Sequence, residues 1–148
     1  MKNIQFKIKK LKKGAILPAY QTNNSAGMDI SACMDKPVIL KSMERKIIPT
    51  GLAIELPPGY EAQIRARSGL SIKNGITVVN GVGTIDSDYR GEVGVLIVNL
   101  GSEPFVIEPG MRIAQMVIAK YEKITWQESK SLEDSERGVG GYGSTGSN

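Results

Sequence analysis

Ile4, Phe6 and Ile8 alternate with Gln5, Lys7 and Lys9, the period of two expected of a half-buried strand with its lysines turned outward. Further short runs rich in β-branched residues follow at 46–48, 52–56, 76–79, 93–100, 105–107 and 112–119. Turn chemistry separates them, in Asn23-Asn24-Ser25, Pro57-Pro58-Gly59 and Glu108-Pro109-Gly110. Many short strands with Pro and Gly between them, and no long helical period, predict an all-β fold: a sandwich, jelly roll or barrel. One segment departs from this. Residues 68–75 open on Ser68, an N-cap residue type, and close on Asn74-Gly75, which suits a single helix of one or two turns.

From Glu128 onward the composition turns charged and polar, then glycine-rich over 138–148. The chain therefore divides into a β-sandwich body, residues 1–127, and a C-terminal arm, residues 128–148, that by composition alone reads as a flexible terminus. A length of 148 residues fits one domain with a core that needs no covalent staple. The single Cys cannot form an internal disulfide. With no apolar leader before a cleavage site, and no run near the ~20 apolar residues of a membrane span, the expectation is a soluble protein of a reducing compartment, the cytoplasm of its own cell or of a host.

The chain has no His, which excludes more chemistry than any residue present. Histidine-based nucleophile triads, helical histidine zinc sites and zinc deaminase sites all need an imidazole. Any proton transfer must use a carboxylate, Lys, Tyr or Cys. The net charge of +4 raises the question of a nucleic-acid partner. Six of the basic residues, however, are Lys2, Lys7, Lys9, Lys10, Lys12 and Lys13, with no acid before Asp29, and from Gly14 onward the net charge is −2. That is one basic stripe on a balanced domain, the pattern of a protected strand edge, and no nucleic-acid partner is expected.

The densest chemistry lies at residues 80–92, Asn80-Gly81-Val82-Gly83-Thr84-Ile85-Asp86-Ser87-Asp88-Tyr89-Arg90-Gly91-Glu92. Glycines beside acids and a Tyr suit a hairpin whose backbone faces a ligand with a carboxylate at the rim; they equally suit a plain turn with solvated charges. Arg67-Ser68-Gly69 at a helix start can hold phosphate through free N–H groups, or the Ser can simply cap.

The order of the pieces decides between these readings. Ala26-Gly27-Met28-Asp29-Ile30-Ser31-Ala32, Arg67-Ser68-Gly69-Leu70, residues 80–92, Arg112-Ile113-Ala114-Gln115-Met116 and Arg137-Gly138-Val139-Gly140-Gly141-Tyr142-Gly143-Ser144-Thr145-Gly146 resemble the five motifs of the trimeric dUTPases of bacteria and phages. They stand in that family's order and spacing. The resemblance implies jelly-roll subunits in a homotrimer that hydrolyses dUTP to dUMP and pyrophosphate at composite sites, limiting uracil in DNA and supplying dUMP for thymidylate synthesis.

By the same resemblance, Asp86 is the general base that activates water for attack on the α-phosphorus, which agrees with a chain that lacks His. Asn80 and the backbone of Gly83, Thr84 and Ile85 would read uracil in a slot too narrow for a 5-methyl group, and Tyr89 would pack on the deoxyribose and crowd out a 2′-hydroxyl. Arg67, Ser68, Gly69 and Gln115 would hold the phosphates. Arg137 would close over the γ end, with Tyr142 stacked on uracil and Gly143 and Ser144 completing the arm's contacts. Tyr142 stands where the family often has Phe. Mg²⁺ would be held mainly by the substrate phosphates and water, with no direct protein ligand. Asp29 would reach its shell through water or serve structure, and Arg112, Cys33 and Trp126 would serve packing or an interface. The alternatives are a relative of the dCTP deaminases, which share the fold but lack the Asp-Ser-Asp-Tyr-Arg-Gly pattern, and a non-catalytic regulatory protein that binds dUTP.

Overall fold

The computed structural model describes residues 4–141. In chain order they form β1 (Lys7–Lys10), β2 (Ala19–Tyr20), β3 (Met28–Ser31), β4 (Val38–Leu40), β5 (Arg45–Pro49), β6 (Leu52–Glu55), β7 (Tyr60–Arg65), α1 (Ser68–Asn74), β8 (Ile76–Val78), β9 (Gly83–Ile85), β10 (Gly94–Asn99), β11 (Phe105–Ile107) and β12 (Arg112–Lys120). The strands pair antiparallel in a five-stranded sheet β2-β3-β12-β7-β9, a three-stranded sheet β5-β10-β8, and two ribbons, β1-β6 and β4-β11. This is an all-β jelly-roll-like sandwich with one short helix, one of the all-β architectures that the strand pattern allows and the one that the motif resemblance implies.

One core is shared by all four sheets. Ile30, Ala62, Ile64 and Met116 enter it from the five-stranded sheet, Ile48, Ile76, Val95 and Ile97 from the three-stranded sheet, and Leu40, Ile54 and Ile107 from the ribbons. Truncating a fully buried residue such as Ile97 to Ala removes ~2–5 kcal/mol. Thr50 and Asn99, polar but fully buried, are satisfied: Thr50 Oγ1 donates to Val93 O (2.6 Å), and Asn99 Nδ2 donates to Leu40 O (2.9 Å) and Glu103 O (2.8 Å).

The N-terminal strand departs from expectation. It spans Lys7–Lys10 with every residue exposed, and Ile4 and Ile8 stay exposed. Because β1 pairs with β6 alone, no covering layer forms over Ile8, and only Phe6 turns inward, edge-on to Tyr60 with ring centroids 5.2 Å apart. Cys33 is buried with Ala15 and Leu52, whereas Trp126 is exposed. No helix among the described residues is long and apolar enough to cross a membrane. After Tyr121, whose N–H donates to Gly59 O, residues 122–139 are exposed and form neither helix nor strand.

Candidate active site

Residues opposite one another on adjacent strands share a face of the sheet. The rows Ala19–Asp29, Asp29–Gln115, Gln115–Arg65 and Gln63–Thr84 therefore set Asp29, Gln115, Arg65, Gln63 and Thr84 on the outer face of the five-stranded sheet. Arg112 and Gln115 are three residues apart and in a regular strand would face opposite sides. A bulge between Arg112 and Ala114 changes the phase, so both reach the outer face beside Asp29.

There the first, second and fourth motifs meet. Asp29 is largely buried; its carboxylate accepts a hydrogen bond from Arg112 Nη1 (2.9 Å) and forms an ion pair with Arg67 Nε (3.1 Å). Arg67 Nη1 also donates to the Arg112 carbonyl (3.0 Å). One hydrogen bond and one ion pair thus aim the Arg67 guanidinium, and its remaining N–H donors are left for a ligand. Gln115 Nε2 donates to Ala66 O (2.9 Å). Its amide lies over Gly27, where a Cβ would stand 3.2 Å from Gln115 Cδ and closer still to Oε1; only glycine leaves that room.

Helix α1 begins one residue earlier than its sequence signals indicate. Arg67, extended at φ −95° and ψ 126°, occupies the N-cap position without a side-chain cap, and Ser68 is already helical. Ser68 is exposed, and no heavy atom lies within 4 Å of where a Cβ on Gly69 would stand, so the turn opens to solvent. Gly75, left-handed at φ 69°, ends the helix with its N–H on Leu70 O and Ser71 O, as Asn74-Gly75 predicts.

The third motif is built differently from a simple hairpin. Its arms β8 and β9 are edge strands of two different sheets, β8 bonded to β10 and β9 to β7. The turn between them is closed by Gly81 N–H to Val78 O (3.0 Å) and Val82 N–H to Asn80 O (2.8 Å). Among the described residues the two arms do not pair with each other, which leaves the backbone groups of 83–85 that face away from β7 available along a slot. Gly83 is buried against Ile64, and the Asn80 amide leans over it. Thr84 is exposed and Ile85 half-buried.

Asp86 follows, exposed, with its carbonyl accepting from Tyr89 N–H (3.1 Å). Thr84, Ile85, Asp86, Tyr89 and Glu92 line a depression of about 270 Å³ with Ile47 and Leu96. The register places this depression far from Arg67. Ile85 pairs with Ala62, so Asp86 falls level with Glu61, six residues of extended chain or roughly 20 Å from Arg67. Arg67 moreover points toward β12 and β3, away from β9. One chain brings together Asp29, Arg67, Arg112 and Gln115, and separately Asn80, Gly83, Asp86 and Tyr89; it does not join the two groups.

On the arm, Arg137 is exposed and donates from Nε to Gly140 O (2.8 Å) within its own turn. Tyr142, Gly143 and Ser144 lie outside the described residues. No group of three or more His, Cys, Asp or Glu gathers among the described residues, and Asp29 is already paired with two guanidiniums. Sequence reasoning gave Arg112 to packing and missed its share in holding Asp29. The charged pair Asp29 and Arg112 at bulge-related positions was the available signal, readable only once the register is known.

The sequence profile of the dUTPases matches residues 13–146. A deoxyuridine 5'-triphosphate nucleotidohydrolase of Rickettsia felis is 60% identical over 96% of this chain and 97% of its own, and that of Rickettsia canadensis is likewise 60% identical over 96% and 97%. Among solved structures, the dUTPase of Staphylococcus bacteriophage 80alpha with dUPNHPP superposes with a TM-score of 0.89 at 28% identity, covering 98% of this chain and 100% of its own. A dUTPase of Staphylococcus aureus phage phi11, described as coordinating a structural Mg(II) ion, shares the fold at a TM-score of 0.79 and 24% identity over 88% of this chain and 100% of its own. A profile match across nearly the whole chain, relatives of this identity and a common fold agree with the ordered motifs: the chain belongs to the dUTPase family.

Proposed function

We propose that this protein hydrolyses dUTP to dUMP and pyrophosphate at sites shared between the subunits of a homotrimer. The observation that carries the shared site is the roughly 20 Å between Asp86 and Arg67 along the β7–β9 ladder, with Arg67 turned toward Asp29. A phosphate chain held by Arg67, Ser68, Gly69 and Gln115 of one protomer then meets the Asp86 of a neighbour. The exposed arm, with Ile124, Trp126 and Leu132 uncovered, supports a third contribution, Arg137 reaching a neighbour's site and Tyr142, Gly143 and Ser144 closing over the base.

Uracil presents two carbonyl acceptors flanking an N–H donor, a pattern that the free backbone edges of 83–85 and the Asn80 amide can match. Because Gly83 is backed by Ile64, the slot has a rigid floor, and excluding a methyl by shape discriminates better than the ~1–3 kcal/mol that a missing methylene supplies. Asp86 takes a proton from water as its oxygen attacks the α-phosphorus; the bond to the bridging oxygen breaks and pyrophosphate leaves. When bound, Mg²⁺ would be held mainly by the substrate phosphates and water and would supply neutralisation of their charge. The free Arg67 donors and Arg137 stabilise the charge that collects on the departing pyrophosphate.

Pyrophosphate release measured with dUTP, dCTP, dTTP and UTP tests the reading. Release from dUTP far above the others is expected. Ammonia from dCTP without pyrophosphate would move the protein to the deaminases, and dUTP binding without turnover would make it a non-catalytic binder.

A further inference from the structure

Tyr89 is placed by two neighbours that none of the five motif roles employs. Gly91 has no left-handed backbone requirement, yet a Cβ there would stand 2.6 Å from Tyr89 Cζ and 3.1 Å from Cε2, and closer still to the hydroxyl. The hydroxyl end of the ring therefore occupies the space that any side chain at position 91 would take. The Tyr89 hydroxyl donates to the Glu92 carbonyl (3.0 Å).

Glu92 is itself fastened. Its Oε1 accepts from Gly51 N–H (2.7 Å), Val93 N–H donates to Leu52 O (2.8 Å), and Val93 O accepts from Thr50 Oγ1 (2.6 Å). The turn that receives them is tight: Gly51 is left-handed at φ 67°, and a Cβ on it would stand 2.8 Å from Cys33 Sγ and 2.9 Å from Ala15 Cβ. A rigid turn between β5 and β6 thus holds Glu92, and Glu92 holds the ring.

We infer that Gly91 and Glu92 are positioning residues that seat the Tyr89 ring and so set how strictly deoxyribose is preferred over ribose. The inference rests on the proposed contact of Tyr89 with the sugar. Exclusion of a 2′-hydroxyl is steric, so it depends on where the ring plane lies, and displacements near ~1 Å at a site carry large kinetic effects. A methyl at position 91 is compatible with the backbone and meets only the far end of a side chain that can swing. Gly91→Ala accordingly folds, lifts the ring and loosens the gate.

The test compares kcat and KM for dUTP and UTP in the full-length protein and in Gly91→Ala, Glu92→Ala, Glu92→Gln and Tyr89→Ala. Calorimetric binding of non-hydrolysable dUTP and UTP analogues adds a readout independent of turnover. Gly91→Ala and Glu92→Ala should lower the dUTP preference by roughly tenfold or more, chiefly through KM. Glu92→Gln should keep it, because its amide oxygen still accepts from Gly51 N–H. An unchanged preference in Gly91→Ala, with the preference lost in Tyr89→Ala, overturns the seat while leaving Tyr89 as the sugar gate. Tyr89→Ala with an unchanged preference removes the gate and the seat together. Should Gly91→Ala fail to fold, the Glu92 pair decides: equal behaviour of the Ala and Gln variants overturns the inference.

Discussion

Asp29→Asn breaks the clamp that aims Arg67 while leaving the proposed base untouched. In the structure the carboxylate pairs with Arg67 Nε at 3.1 Å and accepts a hydrogen bond from Arg112 Nη1 at 2.9 Å, and only 13% of its side chain is exposed. Asparagine keeps one acceptor oxygen but carries no charge and turns an NH₂ donor toward a guanidinium, so the ion pair with Arg67 is lost and the two arginines face each other with no anion between them. A hydrogen bond to a charged group contributes ~1.5–3 kcal/mol. At about 1.4 kcal/mol per tenfold, KM for dUTP should rise ~10- to 100-fold if Arg67 binds phosphate in its aimed position. The kcat should fall as well, because an aimed Arg67 also stabilises the charge that collects on the departing pyrophosphate. Initial rates of pyrophosphate release at saturating and limiting dUTP separate the two, with thermal unfolding as a control. A KM within about twofold of wild type, accompanied by a lower melting temperature, would refute the reasoning and make the clamp purely structural.

Three further outcomes are expected. Asp86→Asn should lower kcat by ~10² to 10⁴ with calorimetric binding of a dUTP analogue nearly unchanged, since the amide keeps the shape of the base. Deleting residues 128–148 should cost orders of magnitude in activity yet leave the melting temperature nearly constant, because residues 128–139 bury nothing against their own body; full activity after deletion would return the arm to a passive terminus. Met43 is the one non-glycine residue at positive φ among those described (61°), with its side chain 68% exposed, so Met43→Gly should relieve left-handed strain of ~1 kcal/mol and raise the melting temperature by a few degrees; a fall would show that the side chain packs usefully.

The fold class was legible because alternation and turn chemistry agree wherever strands are long. At β10, Val95 and Ile97 point inward from a run bounded by Gly94 and Gly101, and Glu108-Pro109-Gly110 turns the chain before β12. The shorter pieces hid. β9 is Gly83–Ile85, a glycine-led triplet that reads as turn until β7 is seen to pair with it. The spread of Ile4, Phe6 and Ile8 misled because period two reports a strand but says nothing of whether a second layer covers it. Ordered motifs exposed Asp86, Arg67 and Gln115 by type. Spacing alone could not reveal that the bulge near Ile113 sets Arg112 beside Asp29, nor that Asp86 and Arg67 lie at opposite ends of one ladder, because both depend on strand register.

The shared site is the central claim, and mixing two inactive proteins tests it most directly. Asp86→Asn and Arg67→Ala each disable every site of their own trimer. After subunit exchange at equal concentrations, a site joining the Asp86 of one chain to the Arg67 of another is intact in about a quarter of cases by random assortment, so hydrolysis of dUTP should return to about a quarter of the wild-type rate. If a single chain supplied both residues, every site would carry one lesion, and verified hybrids would remain as inactive as their parents.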